Sequence, residues 1–285
     1  MIIEHLLEVV KVVGNYMIEL KFIGRGSAFT KDEVNNSAYF IKNNTMVLFD
    51  CGADVFKQII NHKLLNQPNI NKLLIIITHT HDDHIGSLMS LLEYCRYSNR
   101  AANIEEVQLF ETIESLVGVV PASPYQTRLN TFANIFGMSI EWLKKVVVVS
   151  KSQVEDELNI TIESISVSHS SDLISYGYYI TDLDSNQSIY YSGDCNSHDP
   201  ALDKLFTTWN RHIDFYLEVS SSANAYPHSS CHFAEIKLPS LINSISSICK
   251  EHHNTYTINL MHIDPFDSYK DLTKKLIVNT IDYIK

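Results

Sequence analysis

Residues 78–88 read THTHDDHIGSL and stand directly behind the apolar run KLLIII at 72–77. That run is too short for a helix and long enough for the centre of a sheet, so it reads as a buried strand. Three histidines and two aspartates fall within the six residues 79–84 at its end. HIGSLMSLLEYCRY, 84–97, then carries an apolar stripe at helical spacing. A buried strand that delivers imidazole and carboxylate into a strand-to-helix turn sets the frame for the rest of the chain.

Upstream, MIELKFIG at 17–24 alternates as a strand does. SAYFIK and TMVLFD form a hairpin through Asn43 and Asn44, and DVFKQIINHKLL at 54–65 has helical spacing. Gly24 and Gly26 read as a tight turn with positive φ, with backbone approach to a phosphate as the alternative. Downstream, 103–145 mixes turn and helix signals and carries Tyr125, Phe132, Phe136 and Trp142. It reads as a peripheral helical insertion or as a lid. Strands resume with KVVVVS, NITIESISVSH, SYGYYIT and SIYYSGD, and helical segments then alternate with FYLEVS and TYTINLMH. This order predicts two sheets packed face to face with helices outside. Residues 1–16 precede the first convincing strand and read as an N-terminal extension to one domain, 17–285.

The chain has 285 residues and a net formal charge of −11. Such an acidic balance does not offer the clustered Lys and Arg of a sequence-independent nucleic-acid surface, and no stable nucleic-acid partner is expected. Five cysteines without a C-x-x-C pair indicate reduced thiols and a cytoplasmic setting. No apolar run reaches the roughly 18 residues of a membrane span, and the N-terminus lacks a signal-peptide pattern.

Imidazole and carboxylate together are ligands of a borderline divalent metal such as zinc. His79 and His81, two apart, point the same way on extended chain, while Asp83 and His84 follow as the chain turns into a helix. The spacing suits two adjacent metals. Further ligand types close other strand-like runs: His169 ends TIESISVSH, Asp194 ends SIYYSGD, and His262 ends TYTINLMH. Strand ends hold side chains rigidly and open onto a common edge.

The series H-x-H-x-D-H, then His, Asp and His, resembles that of the metallo-β-lactamase superfamily, over nearly the whole chain from Met17. The resemblance implies an α/β fold, the αββα four-layer sandwich. It also implies two Zn2+ per chain, with Mn2+ as an alternative. In that pattern His79, His81 and His169 hold one ion, Asp83, His84 and His262 hold the other, and Asp194 bridges them. The nucleophile it implies is a dizinc-bound hydroxide, which Asp83 orients or deprotonates.

Within the superfamily, Asp194 stands where the best-known zinc β-lactamases carry Cys. LKFIGRGSAF and the hairpin NNSAYFIKNNTMVLFDCG look like the ribonuclease Z-like branch. DFYLEVS resembles that branch's H-E-A-T motif, with Leu217 in place of the motif's His. The resemblance then assigns leaving-group protonation to His232 and its orientation to Glu218; His228 competes with His232. A long tRNA-gripping arm has no room in residues 170–193, between His169 and Asp194. GRGSAF, NNSAY and SGDCN are most similar to the anti-Pycsar proteins of phages and bacteria. That resemblance implies hydrolysis of 3′,5′-cyclic nucleotides to 5′-monophosphates and a homodimer, acting in the host cytoplasm if phage-encoded. The alternatives are a ribonuclease Z-type tRNA 3′ endonuclease and a lactone or thioester hydrolase. His198 reads as a loop histidine, and His252 and His253 as exposed at a helix end.

Overall fold

The computed structural model describes residues 18–31, 33–98, 101, 103–113, 146–171, 173–220, 223 and 230–262. The extension read at 1–16, the aromatic segment Tyr125 to Trp142, and His228 lie outside the described residues.

Six strands form the first sheet in chain order: β1 Lys21–Gly24, β2 Ser37–Lys42, β3 Thr45–Phe49, β4 Lys72–Ile76, β5 Glu106–Phe110 and β6 Val146–Val149. The β2–β3 hairpin turns on Asn43 and Asn44, at φ 49° and 63°. Asn tolerates this left-handed region better than most residues, which fixes the register of the hairpin. From β3 onward the pairings are parallel. The second sheet runs β11-β10-β9-β8-β7, from β7 Ile160–Val167, β8 Ser175–Asp182, β9 Gln187–Tyr191, β10 His212–Glu218 and β11 Thr255–Met261. Its β9, β10 and β11 are parallel.

Three apolar clusters divide the molecule into four layers. Met46, Leu48, Leu73 and Ile75 point outward from the first sheet onto α1 Val55–Asn61 and α3 Leu88–Tyr97. Their strand neighbours Val47, Phe49, Leu74 and Ile76 point inward, against Ile162, Tyr178, Ile180 and Tyr191 of the second sheet. The outer face of that sheet, Tyr190, Phe215, Leu217 and Leu260, packs on α5 Asp199–Leu205 and α6 Leu238–Glu251. Both faces of the inner strands are covered, so KLLIII shows no alternation. The fold is the αββα sandwich.

A short helix, α2 Asp82–Ile85, follows β4, and α4 Lys151–Leu158 lies beside β7. A capping box between Ser150 and Gln153 starts α4, and Glu155 accepts the Ile162 N–H of the edge strand at 3.0 Å. Strand β5 falls inside the stretch that gave no clear reading. Its EVQLF carries Gln108 into a buried position, where the amide donates to Glu106 and Glu157. Lys72 completes that network at 2.5 Å from Glu157.

Gly24 and Gly26 are not at positive φ. They serve close approach instead: a Cβ on Gly24 would lie 2.4 Å from the Val34 carbonyl oxygen. The Gly26 N–H already donates to Val34, so it is not available to a phosphate. His252 is buried, stacked 3.7 Å from Trp209 between ring centres, while His253 is exposed as expected. Among the described residues, no helix is long and apolar enough to cross a membrane.

Candidate metal centre

The parallel strands of both sheets end at one edge. His79 and His81 follow β4, Asp83 and His84 sit on α2, and His169 follows β7. Asp194 follows β9, Glu218 closes β10 and His262 follows β11. Ligands at carboxyl ends of parallel strands are held by the sheet and face the crevice beyond it. The backbone takes an uncommon, left-handed conformation at this edge: His262 has φ +57°. Non-glycine residues held at positive φ are uncommon and concentrate at functional sites.

The structure brings all seven predicted ligands together. His79 Nε2 lies 2.9 Å from His81 Nδ1, and His169 Nε2 lies 3.1 Å from the same atom. Asp83, His84, Asp194 and His262 form a second group, with ligand atoms within 4.8 Å of one another. Asp194 joins the two: its Oδ2 is 3.9 Å from His79 Nε2 and 3.0 Å from His262 Nε2. Its Oδ1 is 3.3 Å from His84 Nε2.

These groups fit a pair of cations. Three ring nitrogens converge on one point, and hydrogen bonding among themselves cannot satisfy three lone pairs. Burial first, and neighbouring histidines second, push His79 well below its ordinary pKa. Burial also lowers His81 and His169, against the pull of nearby carboxylates. All three are therefore neutral imidazoles, the form that ligates metal. In the second group, His84 Nε2, Asp194 Oδ1 and His262 Nδ1 are buried without a hydrogen-bond partner. Leaving such atoms unpaired in the interior is costly, and a metal removes the cost for atoms facing it.

The outer ring nitrogens are tied down. His169 Nδ1 donates to the Cys231 carbonyl at 2.9 Å. His84 Nδ1 lies 2.9 Å from Asp50 Oδ2, and His79 Nδ1 lies 3.1 Å from the Thr78 hydroxyl. That hydroxyl donates to Asp50 Oδ2 at 2.9 Å, while Asp50 Oδ1 accepts the Thr78 N–H at 2.8 Å. Asp50 thus sets the tautomer of one histidine directly and of another through Thr78, leaving each Nε2 lone pair turned inward. It is buried and sits at φ +59°. Sequence reasoning gave Asp50 no role, although it closes TMVLFD as Asp194 closes SIYYSGD. The adjoining Gly52 admits α2, since a Cβ there would lie 2.0 Å from the Asp83 carbonyl oxygen.

Beside the cluster stand His232 and Glu218. His232 Nδ1 is 2.7 Å from Glu218 Oε1. Glu218 Oε2 accepts the N–H groups of Cys195 and Phe233, at 3.2 and 3.0 Å. Burial opposes charge on His232, but the Glu218 hydrogen bond and the charges of Glu218 and Asp194 outweigh it, raising the ring to about 10. His198 is not the loop histidine expected. It is buried, with Nδ1 3.4 Å from Cys195 Sγ and Nε2 donating to the Glu218 carbonyl at 3.0 Å. Its place seven residues after the end of β9 gave no sign of that contact.

A cavity of about 480 Å³ opens over His81, Asp83, Asp194, His232 and His262. Ser27 and Phe29 line its rim, and Phe29 is 89% exposed. The volume falls within the about 300–1,000 Å³ of small-molecule sites. The fold and the His/Asp cluster support a metal-dependent hydrolase.

Similar proteins agree with this architecture. The structure resembles the metallo-β-lactamase fold protein YhfI from Bacillus subtilis, with TM-score 0.60 and 13% identity over 94% of this chain and 97% of that one. The anti-Pycsar protein Apyc1 of Bacillus phage BSP38 is 27% identical over 199 residues, covering 68% of this chain and 75% of the relative. That of Bacillus phage 010DV004 is 36% identical over 102 residues, 35% of this chain and 38% of the relative's length. Residues 18–245, from the first strand into α6, match the family described as Anti-Pycsar protein Apyc1. The match takes in the strand ends that carry all the clustered residues but His262, and the chain belongs to that family.

Proposed function

We propose that this chain is a phosphodiesterase that opens 3′,5′-cyclic nucleotides to 5′-monophosphates, using two zinc ions per chain. The observation that carries the reading is His232, which shares the cavity wall with His81, Asp83, Asp194 and His262 and is held from behind by the buried Glu218, 2.7 Å away. A cluster alone is common to many hydrolases. A protonated imidazole beside it suits a reaction whose leaving group is an alkoxide.

His79, His81 and His169 would hold one ion, Asp83, His84 and His262 the other, with Asp194 between. Bound there, two divalent ions activate water and neutralise charge on phosphoryl oxygens. Asp83 orients the attacking water by accepting its hydrogen. Burial opposes its charge, and hydrogen bonds from His262 and His84 outweigh this, holding the carboxyl well below its ordinary range. His232 keeps Nδ1 on Glu218 and offers Nε2–H to the departing 3′ oxygen. As the P–O3′ bond breaks, the proton passes to O3′ and leaves a 3′-hydroxyl. Phe29 at the rim supplies a stacking surface for the base, which demands no particular base edge. The family resemblance adds a homodimer and action in the cytoplasm, the host's where a phage encodes the protein.

The test is to incubate zinc-loaded protein with cyclic nucleotides, pre-tRNA and lactones and to identify products. A 5′-monophosphate supports the reading. Its absence, with efficient pre-tRNA cleavage, would put the ribonuclease Z-type activity in its place. His232→Ala should slow cyclic-nucleotide opening by about 10²–10⁴-fold. It should spare bis-p-nitrophenyl phosphate, whose leaving group departs without a proton. Equal losses on both substrates would remove His232 as the acid.

A further inference from the structure

A second cleft, of about 410 Å³, lies on the outer face of the second sheet, between β7, β8 and the end of α5. Three of its eleven lining residues are cationic, Lys151, Lys204 and Arg211, in a chain with only 22 Lys and Arg among 285 residues. Random surface would supply about one. Glu163 is the single carboxylate in the lining and pairs with Lys204 at 2.5 Å. Lys204 also lies over the Tyr179 ring, 5.2 Å from its centre. Lys151 meets Glu155 of its own helix at 3.7 Å, an exposed pair that binds weakly. Arg211 Nη1 is buried with no hydrogen-bond partner among the described residues. Such a donor requires an acceptor that the described chain does not provide.

The same cleft holds Trp209. His252 covers one face of the indole, 3.7 Å away at an interplanar angle of 18°. The ring is nevertheless 52% exposed, which the other face provides. A large aromatic held flat by a buried partner and open on its far side is a stacking platform.

We propose that this cleft is a second ligand site and that it takes a nucleoside monophosphate. The phosphate meets Arg211, Lys204 and Lys151, and the base stacks on Trp209. Within the lining three cations stand against one carboxylate, an excess of positive charge that suits a phosphate monoester. Glu163 opposes longer phosphate chains. Arg211 immediately precedes β10 and Glu218 closes it, so the cleft lies about 20 Å from the metal edge at the usual rise per strand residue. It is therefore separate from the cavity over His232. The inference does not rest on the reaction proposed above, although that reaction's product belongs to the same chemical class.

The experiment uses full-length, metal-loaded protein carrying Trp142→Phe, which leaves Trp209 as the sole indole of the two in the chain. Adenosine 5′-monophosphate should quench its fluorescence saturably. Lys204→Gln and Arg211→Gln should each weaken binding about tenfold or more, the loss for one charge-assisted contact. Adenosine and inorganic phosphate should each bind at least about tenfold more weakly than the nucleotide, since each keeps half of the contacts. Melting curves check that the variants are folded, and Lys204→Gln, at the end of a surface helix, retains the test if Arg211→Gln unfolds. No saturable quenching would overturn the proposal, as would quenching that ignores both substitutions. Phosphate binding as tightly as the nucleotide, or an RNA dodecamer binding more tightly, would overturn it too.

Discussion

Asp50→Asn offers a test of how the metal centre is organised, because the two side chains have the same shape and Asn tolerates φ +59°. Asp50 accepts from three donors at 2.8, 2.9 and 2.9 Å: the Thr78 N–H, the Thr78 hydroxyl and His84 Nδ1. An amide has one acceptor oxygen. If that oxygen stays on the Thr78 N–H, the amide NH2 faces both His84 Nδ1 and the Thr78 hydroxyl. His84 must then accept at Nδ1 and carry its proton on Nε2, where a metal needs the lone pair. The hydroxyl, now an acceptor from the amide, turns its hydrogen toward His79 Nδ1, and His79 flips its tautomer as well. One ligand of each proposed ion is affected. Loss of such an outer contact costs 10–100-fold in metal affinity, about 1.4–2.7 kcal/mol. The assay is competition for zinc against a chromophoric chelator, with circular dichroism of the metal-free protein confirming the fold. Affinity within twofold of the parent in a folded Asp50→Asn protein would refute the tautomer argument.

Elemental analysis of protein purified without chelator should find two transition-metal ions per chain; one or none, with no uptake on adding zinc or manganese, would refute the seven-ligand reading. Chelation should lower the melting temperature, because ions bound to the folded state stabilise it by mass action. Leu74→Ala, in the layer between the sheets, should cost about 2–5 kcal/mol in denaturant unfolding and leave metal affinity unchanged. Burial opposes the charge of Glu157, but Lys72 and Gln108 outweigh it and hold the carboxyl below its ordinary value. A depressed carboxyl stabilises above the unfolded pKa of about 4.3 and loses that contribution as pH falls through the folded value. The melting gap between the parent and Glu157→Gln should therefore be present at pH 7 and close at lower pH; a constant gap would count against the ion pair.

What could be read from sequence followed the strength of local pattern. KLLIII, the Asn43-Asn44 hairpin and the strand-ending residues His169, Asp194 and His262 each carry a short-range signal; the structure forms the strand and the hairpin, and it places the three strand-ending residues at one edge. EVQLF did not read as a strand because the buried Gln108 finds an acceptor in Glu157 of α4, far away in the chain. His198 and His252 were misread for a related reason. Their burial depends on Glu218 and Trp209 arriving from other elements. Asp50 was legible in principle, since it ends a buried strand, but no histidine near it in sequence hints at the contact with His84.

The placement of Asp50, Asp194 and Glu218 explains how one edge can carry so many ionisable groups without collapsing. Each carboxylate closes a different strand and each serves different donors: Asp50 holds the outer nitrogen of His84, Asp194 lies between the two histidine groups, and Glu218 holds His232. Glu218 takes two backbone N–H groups on the oxygen that does not meet His232, so it cannot swing toward the metal edge without leaving them unpaired. His198 fixes the Glu218 backbone from behind. The imidazole that would protonate a leaving group is thus held apart from the imidazoles that would bind metal, though the rings of His232 and His262 lie only 5.1 Å apart. That division follows from which strand end each acid occupies, so exchanging Glu218 for the shorter Asp should loosen His232 while leaving metal content intact.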